Sequence, residues 1–220
     1  MWPARTDNMS GKQTVLIIIA VLGWLTLFTQ LYLIIENRQA SIPETIIRYF
    51  SFFTILSNIM VSASATYLLL YNSNAKPFFN EKKITAIAVY ITVVGLVYNL
   101  ILRQLWHPQG LQKWVDELLH SIIPVLFIAF WFIYVSKNVL QWKHIFKWLL
   151  FPFMYLIFIL IRGNFSDYYP YPFINVTAIG YQATFINCMG MIIVFILFSL
   201  LAVAIAKMKN KRKQKSNSIV

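Results

Sequence analysis

YQATFINCMGMIIVFILFSLLAVAIA, residues 181–206, runs for twenty-six residues without a charged side chain. The next nine residues carry Lys207, Lys209, Lys211, Arg212, Lys213 and Lys215. A helix needs roughly 20 apolar residues to cross a bilayer, so this stretch predicts a transmembrane helix ending at a basic collar. Working outward from it, five more runs of the same kind precede it: about Thr14–Ile35, Ile46–Leu70, Ile84–Leu102, Leu118–Val135 and Ile145–Ile161. The fifth is the shortest and contains Pro152. The expected fold is all-α, a bundle of six transmembrane helices within residues 1–206. A basic cytoplasmic tail, 207–220, is expected to be disordered.

Composition points the same way. Of 220 residues, 59% are hydrophobic and only 12% are charged, against about 25% charged in an ordinary soluble domain. Six crossings use nearly the whole chain, which leaves no room for a separate soluble domain. No small-residue cleavage site follows the first run, so it is expected to stay in the mature protein. The net charge of +12 sits in short loops and the tail rather than on one face. Nucleic acid is therefore not an expected partner, whereas anionic lipid headgroups at the tail are. Basic residues favour the cytoplasmic side of a membrane. With both termini cytoplasmic, fourteen lysines and arginines fall inside, Arg5 and Lys76 among them, and five fall outside. The expected location is a bacterial plasma membrane, since isoleucine, lysine and asparagine usage suits a low-GC bacterium. The single cysteine, Cys188, rules out an intramolecular disulfide. Without H-E-x-x-H or clustered carboxylates, no metal or cofactor is expected.

Polar side chains inside an apolar span turn toward other helices or a cavity. In the second run Ser51, Thr54, Asn58 and Ser62 fall within about 80° of helical arc. Thr92, Gly95, Asn99 and Arg103 make a similar stripe in the third run. Gly23, Thr26 and Gln30 do so in the first, and Gly180, Thr184 and Asn187 in the last. Tight packing with interhelical hydrogen bonds accounts for such stripes. So does a polar cavity open toward the outer side.

Of the three histidines, His107 and His144 fall in loops and are expected to be solvated. His120 is different, because it lies about one turn inside the fourth run, with Asp116 and Glu117 on its side of the helix. An acid at that spacing can orient an imidazole that accepts a proton. The bland reading of His120 is an interfacial hydrogen bond. A hydroxyl nucleophile needs a base within reach, and the hydroxyls at matching depth are Ser51, Thr54 and Ser57. Cys188 lies too far toward the cytoplasmic half to pair with His120. Most membrane threonines simply bond the carbonyl one turn back.

Three segments carry a resemblance: Arg48-Tyr-Phe-Ser-Phe-Phe-Thr54-Ile-Leu-Ser-Asn58, Trp114-Val-Asp-Glu-Leu-Leu-His120 followed by Pro124, and Tyr169-Pro-Tyr-Pro-Phe173. In that order the chain resembles bacterial relatives of the androgen-induced and androgen-dependent six-span membrane proteins. Animal members of that family hydrolyse fatty acid esters of hydroxy fatty acids with an intramembrane threonine and histidine. The resemblance implies Thr54 as nucleophile and His120 as base, with Trp114 matching a family tryptophan. Pro124 lies one residue nearer the histidine than in the animal pattern, and an acid at Asp116 is not part of that pattern. The expectation is a lipid esterase with Asn58, Arg103 and Asp116 in support, and with the acyl chain reaching the site sideways from the outer leaflet. A non-enzymatic lipid or small-molecule binding or transport protein using the same outer cavity is the alternative. The Tyr-Pro-Tyr-Pro-Phe loop is expected to be rigid, as an aromatic anchor or as a lid.

Overall fold

A computed structural model describes residues 10–71 and 77–217, with side chains through Met208. Arg5 and Lys76, used in the charge count, lie outside the described residues, as do the side chains of Lys209, Lys211, Arg212, Lys213 and Lys215. Among the described residues, eight α-helices follow one another: α1 (Gly11–Glu36), α2 (Ile42–Phe50), α3 (Phe53–Leu70), α4 (Glu81–Leu100), α5 (Gly110–Glu117), α6 (Ile123–Tyr134), α7 (His144–Ser166) and α8 (Val176–Asn217). A five-residue π-turn, Leu118–Ile122, joins α5 to α6 as one continuous rod. Six units are long and apolar enough to cross a membrane: α1, α3, α4 with its 3-10 extension, the α5–α6 rod, α7 and α8. The chain is an all-α, six-span integral membrane protein. An even number of crossings brings the start of α1 and the end of α8 to the same side.

Several boundaries differ from the sequence reading, each for a local reason. The run Ile46–Leu70 is two helices, because Phe52 is extended (φ −82°, ψ 124°) and stops α2 before α3 begins. Ser51 thus lies in the break rather than on the helix that carries Thr54. Arg103 is likewise off its helix, in a 3-10 turn after α4 ends. The fourth span starts at Gly110, so His120 lies ten residues along the rod, about 15 Å by helical rise and not one turn inside. His144 is buried at the start of α7, where its Nδ1 accepts the Gln141 amide at 3.1 Å; it is not a solvated loop residue. The tail expected to lack structure continues α8 to Asn217. Gly180 interrupts that helix with φ 77°, a conformation glycine adopts without a Cβ clash.

Packing follows the small and polar stripes. Gly23 of α1 faces Ser62 of α3 so closely that a Cβ would strike the serine hydroxyl. Trp24 Nε1 donates to Thr66 Oγ1 at 3.0 Å across the same pair of helices. In a bilayer, backbone groups released by a helix irregularity must find partners inside the protein. Pro152 has no N–H for the Trp148 carbonyl one turn back, and that carbonyl accepts the Tyr90 hydroxyl at 2.6 Å. Likewise the Ser51 carbonyl in the α2–α3 break accepts the Tyr155 hydroxyl at 2.7 Å.

Candidate active site around Thr54

The break between α2 and α3 decides the environment of Thr54. On a continuous helix its hydroxyl would bond the carbonyl one turn back, as Thr26, Thr29, Thr66, Thr85, Thr92 and Thr184 all do here. Thr54 is the second residue of α3 and has no helical turn behind it. Its Oγ1 instead lies 3.5 Å from the hydroxyl oxygen of Tyr171, which also accepts the Thr54 amide at 3.3 Å. Neighbouring Phe53 sits in a nest of Tyr90, Phe151, Tyr155 and Phe195 rings with centroids 5.0–6.2 Å away. That nest fixes the first turn of α3.

Thr54 opens onto an apolar cavity of about 410 Å³, within the usual range for small-molecule pockets. Val94 and Val97 of α4, Leu156 of α7 and Cys188 and Met191 of α8 line it. Its polar groups are the hydroxyls of Thr54, Tyr155 and Tyr171. Phe146, Leu150 and Phe153 form its wall on the α7 side and are 80%, 60% and 50% exposed. These three lie in the half of α7 nearer the side of the chain ends. From Phe146 to Leu156 the lining spans ten residues of α7, about 15 Å along the helix.

His120 sits in the π-turn. Pro124 cannot donate to the His120 carbonyl one turn back, and the Ile123 amide reaches past it to Leu118. Two carbonyls are released by this. Asn58 Nδ2 donates to the Leu119 carbonyl at 3.2 Å, and Asn99 Nδ2 to the His120 carbonyl at 3.3 Å. Gly95 allows the approach, since a Cβ there would lie 3.1 Å from the His120 carbonyl oxygen. The imidazole stacks on the Tyr98 ring, with centroids 3.9 Å apart and planes 11° apart. His120 Nδ1 is 2.9 Å from the Asp116 carbonyl oxygen. A carbonyl only accepts, so Nδ1 carries hydrogen and a neutral ring presents a lone pair on Nε2.

The five residues singled out from sequence are brought together only in part. Asn58 connects two of them, donating to the Thr54 carbonyl at 2.9 Å as well as to Leu119 beside His120. Its own Oδ1 is buried with no hydrogen-bond partner among the described residues. No hydrogen bond joins Thr54 Oγ1 to His120 among the described residues. Asp116 orients His120 through its backbone carbonyl, while its carboxylate accepts from Trp106 at 2.7 Å and Gln112 at 3.0 Å. Arg103 pairs with Glu117 at 2.7 Å and donates to Ser121 at 3.2 Å on an exposed face. It does not line the cavity.

Tyr171 was not singled out by sequence reasoning, although the Tyr-Pro-Tyr-Pro-Phe loop that holds it was. The loop is tied down nearby. Arg48 and Arg162 both bond Glu44, at 2.8 and 2.7 Å, and both lie over the Tyr168 ring, at 4.3 and 5.0 Å. Arg48 holds the Glu44 carboxyl below the ordinary carboxylate range, with Arg162 adding to the effect. Tyr171 itself stacks on Phe173 at 5.3 Å and meets the edge of Phe52 at 5.8 Å. No family model, curated protein or solved structure matches the chain.

Proposed function

We propose that the protein is a membrane-embedded lipid esterase acting on fatty-acyl esters, with Thr54 as nucleophile and His120 as base. One observation carries this reading: Thr54 is a buried hydroxyl released from helix bonding and set in the wall of an apolar cavity. A nucleophilic hydroxyl needs its hydrogen free to pass to a base, and an acyl chain needs a dry slot beside it. The tautomer of His120 set by the Asp116 carbonyl is the one a general base requires.

In the proposed reaction Thr54 Oγ bonds to the acyl carbon while its proton passes to His120 Nε2. The carbonyl electron pair moves onto oxygen, then returns as the ester C–O bond breaks. The departing alkoxide takes the proton from His120. Water next adds to the acyl-threonine and gives a proton to His120. The C–Oγ bond breaks, Thr54 regains its hydrogen, and a fatty acid leaves. The acyl chain lies along α7, reached through the flank at Phe146, Leu150 and Phe153 rather than from the outer leaflet.

Ester hydrolysis by purified wild type, Thr54→Ala and His120→Ala tests the mechanism. Both variants should fall to background, and equal rates in all three sink it. A second reading is non-enzymatic binding or transport of a lipid in the same cavity. It is favoured by the partner of Thr54 Oγ1, which is Tyr171 and not His120. A covalent serine/threonine-hydrolase probe separates the two: labelling lost in Thr54→Ala supports the esterase, and no labelling supports the carrier.

A further inference from the structure

The phenol of Tyr171 is held at one spot from several directions. Two prolines, Pro170 and Pro172, restrict the backbone on either side of it. Its ring is wedged between Phe173 and Phe52, and the residue is 9% exposed. Its oxygen lies at the start of α3, where the Thr54 amide donates to it at 3.3 Å and the Phe53 amide also faces it. Those amides use the oxygen as an acceptor and the Tyr155 hydroxyl also faces it, so the phenolic hydrogen turns between the Tyr155 oxygen and the cavity. Thr54 Oγ1, 3.5 Å away, is within its range. Burial raises the affinity of this phenol for its proton, so at neutral pH it remains a donor.

We propose that Tyr171 is a further catalytic residue whose hydroxyl donates to the carbonyl oxygen of the bound ester as Thr54 attacks. This rests on the esterase reading of Thr54. A carbonyl carbon bonding to Thr54 Oγ1 carries its oxygen into reach of a donor already 3.5 Å from that atom. When the phenolic hydrogen turns from Thr54 to the substrate, it frees the threonine lone pair in the same movement. No proton is transferred: Tyr171 keeps its hydrogen, which shortens its bond to the oxygen as negative charge gathers there and relaxes when the carbonyl re-forms. Donors aimed at such an oxygen act chiefly on the transition state. Tyr171 therefore supplies what Asn58 and Arg103, both engaged elsewhere, do not.

Tyr171→Phe keeps the ring and removes only the hydroxyl. With a fluorogenic long-chain ester in detergent micelles, kcat should drop about a hundredfold, as for loss of one oxyanion donor, with KM near wild type and a melting temperature lowered by the loss of the Thr54 amide's acceptor. An active wild type, an inactive Thr54→Ala and a Tyr171→Phe with unchanged kcat would overturn the role of Tyr171 alone. A loss expressed only in KM would overturn it as well. A wild type no faster than Thr54→Ala removes the esterase reading and this role with it. Should Tyr171→Phe fail to fold, 3-fluorotyrosine at position 171 carries the test. It keeps ring and hydroxyl but donates more strongly, so an altered kcat supports the role and an unaltered kcat rejects it.

Discussion

Asn58 on α3 donates to the carbonyl of Leu119, 3.2 Å away and 61 residues on in sequence. That carbonyl is free only because the Ile123 amide bonds Leu118 in the π-turn. The asparagine thus locks the segment carrying His120 against the helix carrying Thr54. In lipid no water can replace it. Asn58→Leu should strand a buried carbonyl and lower stability by about 1–3 kcal/mol. Ser62→Ala, which loses only a bond to its own helix, should cost about 1 kcal/mol or less. Thermal unfolding of the two variants in the same detergent compares them directly. Equal losses would deny Asn58 this bridging role.

The Glu44 cluster gives a pH dependence with a definite sign. Its carboxyl is held below the unfolded value of 4.5. Its stabilising contribution is complete above that pH and is lost as pH falls through the lowered folded value. Each ion pair is partly exposed, so about 1 kcal/mol or less rides on each. Melting temperature should hold steady near neutrality and decline in acid. Glu44→Gln should be less stable at neutral pH and show a flatter acid limb. A variant profile parallel to wild type would mean that Glu44 is not the titrating group.

Gly163 is a second position, besides Gly23, where one methyl should do harm. A Cβ there would strike the Tyr169 ring, and a ring flanked by Pro170 has little room to move. Gly163→Ala should cost about 1–3 kcal/mol as an overpacked site. Because Tyr169 begins the segment that delivers Tyr171, hydrolysis should weaken further than stability does. A melting temperature and an ester turnover both equal to wild type would contradict the packing.

Met191 lines the cavity beyond Thr54. Met191→Trp should shorten the slot and shift preference toward shorter acyl chains, with little effect on the smallest esters. A set of esters differing only in chain length measures this as a change in the kcat/KM series. An unshifted series would place the acyl chain elsewhere.

The crossings were legible because an apolar run needs no tertiary knowledge, and the stripe of Thr54, Asn58 and Ser62 is buried as its spacing implied. What escaped were the interruptions. Nothing between Ile46 and Leu70 is a glycine or a proline, so the break at Phe52 left no local signal. It is held by Tyr155 from α7, 104 residues away. Tyr171 was hidden for the same reason, since it meets Thr54 across 117 residues. The π-turn did have a visible marker in Pro124, four residues after His120. A proline there leaves a carbonyl open, and Asn99, noted from sequence only as part of a polar stripe, fills it. Arg103 misled because a stripe drawn past the end of α4 no longer shares its face.

The exposed wall of the cavity along α7 has a consequence for supply. Phe146, Leu150 and Phe153 are exposed on a helix long and apolar enough to cross a membrane. A compound reaching Thr54 by that flank must first dissolve in the bilayer and then diffuse within its plane. Its effective concentration is therefore a mole fraction among lipids. Two amphiphiles of equal aqueous concentration would be met very differently, and the membrane itself performs the first step of selection.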